Sequence, residues 1–447
     1  MRGREEPRVR REVERARSGP QAGGDDRPEV GLGGRATPGI PFADVALSQL
    51  ATHELEASSC IGDDGSEMKA VCARPSGMAS VPAIRLNDGR SMPLTKAPLL
   101  IGLGLLFAVT GCGPAAAPRP TPPLHAMAAA SKGSADPRFD ATLSGTTYPF
   151  PVRVFELESQ GERLRMAYLD EKPASPNGRV VLLLHGKNFG ASYWAPTIRL
   201  LTEKGYRVIA PDQIGFGKSD KPHGYQFTFQ ALAENTKALL DSLGVSKVAV
   251  VGHSMGGMLA TRFTLMLPER VSELVLVNPI GLEDWKTVVP YRSVDDWYAR
   301  ELRATPDSIR EYQKKSYYDG EWKAEYEALI EPAAGQTKHP DYPKVAWCSA
   351  RTYDMIFTQP VLYELPLLKA PTLLVIGQRD RTALGKDAVA PTVAAKLGDY
   401  PALGKNAAAV IPGAKLVEIP NVGHMPQIEA WDTYAAALVS FLERSRP

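Results

Sequence analysis

From about Tyr148 to the C-terminus, apolar residues recur in two alternating patterns. FPVRVFELE and RLRMAYLD alternate apolar and polar positions and are joined by SQGE, which predicts two half-buried strands and a turn. RVVLLLHG is a continuous apolar run closed by glycine, as expected for a strand covered on both faces. YRVIAPD, KVAVVGHS, ELVLVNP and TLLVIGQRD repeat that signature, and KLVEIPN adds one more strand. Helical segments such as TFQALAENTKALLDSLG lie between them, and the chain closes on the amphipathic EAWDTYAAALVSFLERS. Buried strands alternating with helices predict an α/β fold on a doubly wound, mostly parallel sheet.

One stretch breaks the alternation. Residues 282–368 contain no buried-strand run but several helix starts: Ser293 as N-cap before VDDWYARE, and Thr305 as N-cap with Pro306 at the first helical position. The stretch also holds four of the six tryptophans and nine of the sixteen tyrosines. That concentration predicts a helical cap that packs on the core and lines a pocket, because both side chains combine apolar area with a polar tip.

The chain before Tyr148 reads differently. Up to about Gly77 it is rich in Arg, Gly, Glu and Pro without a lasting apolar period, so it cannot bury enough surface to offset its ordering entropy. MPLTKAPLLIGLGLLFAVTGC then gives a short positive start (Met92, Lys96), an apolar run from Leu99 to Val109, and a small-residue context before Cys112. The run is too short to span a bilayer comfortably and fits a secretory signal better. VTGC resembles the lipobox of bacterial lipoproteins, which implies lipidation at Cys112, a membrane held through a lipid anchor, and a periplasmic or cell-envelope location. The Pro/Ala-rich GPAAAPRPTPP that follows suits a tether. A signal some ninety residues into a chain is explained most simply by a translation start at Met78 or Met92; a precursor peptide mapping to residues 1–77 would refute that. The expected organisation is a disordered or untranslated segment over 1–91, a signal over 92–111, a tether over 112–147, core over 148–281, cap over 282–368 and core again over 369–447.

Composition narrows the chemistry. The net charge is +2 and no Lys/Arg block is interleaved with aromatics, which argues against nucleic acid as a partner. The four cysteines form no CxxC pair and the seven histidines no HExxH, so no metal is expected.

Gly252-His253-Ser254-Met255-Gly256 directly follows the strand KVAVV and precedes the helical GMLATRFTLML. In that context G-x-S-x-G becomes a nucleophile elbow: the glycines let helix and strand approach, and the serine is pushed out beside the helix N-terminus. Serine needs a base. His424 lies in the loop between KLVEI and the last helix, at the sheet edge where Ser254 emerges. His185 belongs to the His-Gly turn, His253 flanks the nucleophile, and His223 and His339 lie in Pro/Gly-rich loops. Asp380 ends the strand after the cap and precedes His424, giving the order Ser, Asp, His. Glu283 and Asp284, after the preceding strand, are its rivals, whereas Asp212 reads as a turn cap. A tetrahedral intermediate needs amide donors. Met255 N–H supplies one, and the loop after LLLHG offers those of Lys187 and Asn188. The Lys187 side chain is expected in solvent and Trp194 packed against this loop.

HGKNFGASYW, PDQIGFGKSD, VVGHSMGGMLA, LLVIGQRD and PNVGHMPQIE together resemble the successive signature segments of the α/β-hydrolase fold, over roughly residues 150 to 445. The resemblance implies an eight-stranded sheet with a helical cap inserted after strand six. It implies Ser254 as nucleophile, Asp380 as acid, His424 as base, and Lys187 and Met255 as oxyanion donors, with no cofactor. HGKNF departs from the pattern, since many relatives carry Pro or Gly after the oxyanion residue. Serine at the elbow, rather than aspartate, disfavours haloalkane dehalogenase and epoxide hydrolase relatives. The expected activity is hydrolysis of a small or medium carboxylic ester. Lactone hydrolysis, C–C bond hydrolysis and acyl transfer use the same groups, and a non-catalytic binding protein is the rival from another class.

Overall fold

The structure is a computed structural model and describes residues 136–444; the expected signal, Cys112 and most of the tether lie outside the described residues. Eight strands form one sheet: β1 (Val152–Ser159), β2 (Glu162–Glu171), β3 (Val180–Leu184), β4 (Arg207–Pro211), β5 (Val248–His253), β6 (Val271–Val277), β7 (Thr372–Gly377) and β8 (Lys415–Ile419). Their spatial order is β1-β2-β4-β3-β5-β6-β7-β8. β1 and β2 form an antiparallel hairpin, β2 runs antiparallel to β4, and every pairing from β4 to β8 is parallel. The continuous apolar runs are the central strands. β5 and β7 are buried at every position, whereas the alternating β1 sits at an edge and is largely exposed.

Alternate residues of the buried strands feed two cores. Leu182, Leu184, Val250, Leu274, Leu276 and Leu374 point to one face. There they meet Phe229, Leu232 and Leu239 of α2 (Phe229–Ser242) and Leu259 and Phe263 of α3 (Met255–Met266). Val181, Leu183, Val251, Val275 and Val375 point to the other face, against Ile198 and Leu201 of α1 (Ala195–Glu203).

Between β6 and β7 the chain runs through α4 (Val294–Glu301), α5 (Pro306–Tyr317), α6 (Glu327–Gln336) and α7 (Tyr342–Thr358). Ser293 and Thr305 cap α4 and α5 as expected; Thr305 and Ser308 bond reciprocally, with Pro306 at the first position. The aromatic residues mostly pack on one another: Trp297 stacks on Tyr353 with ring centres 4.2 Å apart, and Tyr318 on Tyr326 at 3.8 Å. After β7 come α8 (Pro391–Ala394), α9 (Tyr400–Val410), α10 (Pro426–Glu429) and α11 (Trp431–Arg444). α9 packs on the first face of the sheet, through Tyr400 and Ala407, and α11 on the second, through Leu438 and Phe441.

The last part of the expected tether is not a tether. Residues 136–147 fold back on the cap: Phe139, Ala141 and Leu143 are buried, and Gln336 Nε2 of α6 donates to the carbonyls of Asp140 (3.0 Å) and Ala141 (3.2 Å). The composition of this stretch is turn-like, but its three apolar side chains find a partner that lies nearly two hundred residues away.

Candidate active site

Ser254 sits between β5 and α3 with φ 57° and ψ −121°, a conformation that L-residues rarely adopt and that costs energy unless its surroundings enforce it. The surroundings do so. Its N–H donates to Val277 O (3.2 Å), and its carbonyl accepts from Gly257 N (2.9 Å) and Ile280 N (3.2 Å). A Cβ on Gly252 would lie 2.2 Å from Gly256 O, and one on Gly256 would lie 2.1 Å from Leu184 O. Both glycines are therefore required by close approach of backbone to backbone.

His424 and Asp380 meet in the interior. Nδ1 of His424 donates to Asp380 Oδ2 at 2.6 Å, and neither side chain has solvent exposure. Asp380 is held from two further sides: Asn278 Nδ2 donates to Oδ2 (2.7 Å) and Thr382 N to Oδ1 (2.7 Å). Asn278 in turn accepts from Gly377 N at 2.8 Å, so it ties the ends of β6 and β7 to the carboxylate. The His424 backbone is clamped as well. Its N–H donates to Tyr317 O (3.0 Å) at the end of α5, and its carbonyl accepts from His253 Nε2 (2.9 Å). With Nδ1 committed to the carboxylate, Nε2 of His424 is buried and has no hydrogen-bond partner among the described residues. The His424 ring lies 4.9 Å from that of His253, the neighbour of Ser254 in the chain.

His253 itself is a support. Burial, and then the neighbouring His424, hold its pKa well below the usual 6.5, so it stays neutral, with Nε2–H directed at His424 O and Nδ1 facing Tyr193 OH (3.0 Å). His185 is likewise buried and shifted down by burial, and its Nε2 accepts from Gln213 N. His223 stacks on Trp347, and His339 accepts from Asp341 N. The rival acids are occupied elsewhere. Glu283 accepts from Trp285 Nε1 and Gly398 N, whereas Asp284 caps a short 3₁₀ turn through Lys286 N and accepts from Tyr363 OH. Asp212 is a loop organiser, accepting from Tyr148 OH, Ala191 N and Lys218 N.

The loop after β3 lies against the elbow: a Cβ on Gly186 would come within 3.2 Å of Ser254 Cβ. Neither the Lys187 nor the Met255 amide donates to a protein acceptor among the described residues. The Asn188 side chain reaches the cap instead, donating to Tyr317 OH at 2.7 Å. Phe189 stacks on Tyr193 (4.7 Å, 10°), and the buried Trp194 leans on Tyr193, which holds the loop in place. The Lys187 side chain departs from expectation. It is not in solvent but half-buried under the cap, where Nζ donates to Ser349 Oγ (2.6 Å) and stands 3.5 Å from the Tyr353 ring centre. The reason is α7, whose packing over this loop cannot be read locally.

Ser254, Lys187 and the cap residues Tyr312, Tyr317 and Tyr353 line one cavity of about 1040 Å³. Among the described residues, no group of three or more His, Cys, Asp and Glu is placed to hold a metal ion.

The profile of the alpha/beta hydrolase fold family matches residues 179–430, more than half of the sequence. The chain belongs to this family. A probable hydrolytic enzyme from Pseudomonas aeruginosa PAO1 is 54% identical, with a TM-score of 0.67 over 68% of this chain and 98% of that one. The 2-hydroxy-6-oxo-2,4-heptadienoate hydrolase of Pseudomonas putida is 31% identical over 153 residues, covering 31% of this chain and 55% of the relative. The 2-hydroxy-6-oxononadienedioate/2-hydroxy-6-oxononatrienedioate hydrolase of Escherichia coli is 38% identical over 129 residues, covering 28% of this chain and 44% of the relative. The chain thus spans about half the length of the curated relatives it matches. Two of these relatives are named as hydrolases and the third as a probable hydrolytic enzyme.

Proposed function

We propose that the protein is a serine hydrolase that cleaves a small or medium carboxylic ester through an acyl-enzyme on Ser254. The observation that carries this reading is the His424–Asp380 pair, bonded at 2.6 Å through Nδ1 with Nε2 left open, close to a serine on an enforced turn. Ser254 Oγ attacks the substrate carbonyl and its proton passes to His424 Nε2. Asp380 stabilises the imidazolium and keeps Nδ1 protonated throughout. The oxyanion accepts from the Lys187 and Met255 amides, the latter at the positive end of α3. Nε2 then gives its proton to the departing alcohol. Water, deprotonated by the same nitrogen, releases the acid and restores Ser254.

The test is labelling by a fluorophosphonate together with turnover of an ester panel. Ser254→Ala should lose both and keep its melting temperature, because the turn depends on backbone contacts and not on the hydroxyl. Turnover in that variant at the parent rate would reject the mechanism, and a non-catalytic binding protein would not label at all. The named reactions of the two curated relatives favour C–C hydrolysis as the second reading. It uses the same groups and predicts consumption of a 2-hydroxy-6-oxo-dienoate by the enzyme but not by Ser254→Ala.

We propose further that residues 92–111 direct export and that Cys112 carries the lipid, supported by the apolar run and VTGC. Among the described residues no helix is long and apolar enough to cross a membrane. Cys112→Ser should move the protein from the membrane fraction to the soluble one, since several acyl chains anchor where one does not. Identical fractionation of both forms would remove the anchor from this reading.

A further inference from the structure

The wall of the cavity is strongly one-sided in charge. Seven lysine and arginine residues line it, against two acids, Glu301 and Asp387. Asp387 is already engaged by Arg300 and Arg292. Glu301 accepts from Ser349 Oγ at 2.6 Å and makes no ion pair among the described residues. Such a wall is poorly suited to a neutral guest, because uncompensated charge that loses its water must be repaid by a partner.

Among the cations that line the cavity, Lys187 directly follows Gly186, whose added Cβ would lie 3.2 Å from Ser254 Cβ. Its own amide is one of the two proposed oxyanion donors, so its ammonium stands one lysine side chain away from the scissile carbonyl. The stem is pinned by Tyr353 and Ser349, which fixes where the charge is presented. An ammonium has three donors. One goes to Ser349 Oγ and the aromatic face takes up part of the rest, and among the described residues no carboxylate contacts it directly. Burial pulls its pKa down to about 8, with Glu301 opposing, so it is mostly charged at neutral pH but under-compensated. The structure therefore holds a positioned, partly desolvated cation in the same cavity as Ser254, on the residue whose amide is proposed to hold the oxyanion.

We infer that the physiological substrate carries a free carboxylate close to the bond that is cleaved, and that the Lys187 ammonium receives it. This rests on the serine-hydrolase reading and narrows it to anionic substrates. A single positioned ammonium matches a singly charged carboxylate. It also selects by charge: the acid recruits Lys187, whereas its neutral diester leaves the ammonium without a partner.

The experiment is protection of Ser254 from a neutral fluorophosphonate by two molecules of nearly equal shape, monomethyl glutarate and dimethyl glutarate. The readout is the concentration that halves the labelling rate, and it works whether or not either ester is turned over. The monoester should protect at a concentration at least about tenfold lower than the diester. In Lys187→Met, which keeps the stem and removes the charge, the ratio between the two should fall towards one. Lys187→Arg should retain most of it. Reading the ratio within each protein cancels any loss common to both ligands. Equal protection by the two esters in the parent protein overturns the inference without needing any variant, as does an unchanged ratio in Lys187→Met. Absence of labelling in the parent protein rejects the nucleophile, and the inference that rests on it falls too.

Discussion

Asp380 makes three hydrogen bonds, to His424, Asn278 and Thr382, and they do different work. The bond to His424 fixes the tautomer, so Asp380→Asn should lower acylation by about two to four orders of magnitude. KM should change little, because the carboxylate faces the imidazole and not the cavity; comparable kcat values for Asp380→Asn and the parent would remove Asp380 from the mechanism. Asn278 touches neither substrate nor imidazole and is a positioning residue. Asn278→Ala leaves Asp380 with one neutral donor fewer and Gly377 N without its acceptor, each worth about 1 kcal/mol or more. A kcat loss of roughly tenfold at constant KM is expected, and a loss carried by KM alone would make its role merely structural. At this scale Ser254, Asp380 and His424 stand out in the sequence as candidates, because Ser254 directly follows one recognisable strand and the other two lie in the loops just after two more. It does not announce Asn278: Asn-Pro after a strand reads as a turn, and its purpose appears only when β6 and β7, some ninety residues apart in the chain, lie side by side. The Lys187 side chain escaped for the same reason.

Among the elements, the cap is joined to the chemistry at the end of α5. Tyr317 offers its carbonyl to His424 N, its hydroxyl to Asn188 Nδ2, and its ring to the face of the imidazole at 4.5 Å. The chain passes so close that a Cβ on Gly423 would lie 1.9 Å from Tyr317 O. Gly423→Ala must therefore push the cap and the His424 loop apart. A loss of about 1–3 kcal/mol in stability, as for other overpacked sites, should accompany a fall in kcat. Differential scanning calorimetry and steady-state kinetics on one ester check both; a variant with the parent's melting temperature and kcat would show that this junction is slack. Helix starts in the cap were legible in Ser293 and Thr305, since capping is local chemistry. The junction was not, because glycine before a histidine carries no sign of the backbone it must admit. Residues 136–147 show the same limit, reading as tether while Phe139 and Leu143 are in fact buried.

Over the whole molecule, the α/β-hydrolase sheet buries polar groups along with its apolar ones, and this sets a pH dependence. His185 and His253 are buried and neutral, with pKa values moved below the usual 6.5 chiefly by loss of hydration. In the unfolded chain each takes up a proton near 6.5, whereas in the native protein neither does until a lower pH. The unfolded state thus binds more protons in that window. Native stability is complete above about pH 6.5 and falls as the pH drops towards the native values, by up to about 1.4 kcal/mol per pH unit for each histidine. Glu283 and Glu429 act in the opposite sense: burial raises both above 4.5, so they take up protons earlier in the native state and oppose the loss at more acidic pH. The histidine effect is therefore to be read between about pH 7.5 and 5.5. Thermal melts across that range should show a falling melting temperature in the parent protein. His253→Gln keeps a donor for the His424 carbonyl but does not titrate, so at least half of the slope should disappear, since His253 is shifted further than His185, which maintains the rest. An unchanged slope in that variant would mean that His253 already exchanges its proton with solvent in the native state, and the buried, neutral brace beneath His424 would have to be given up.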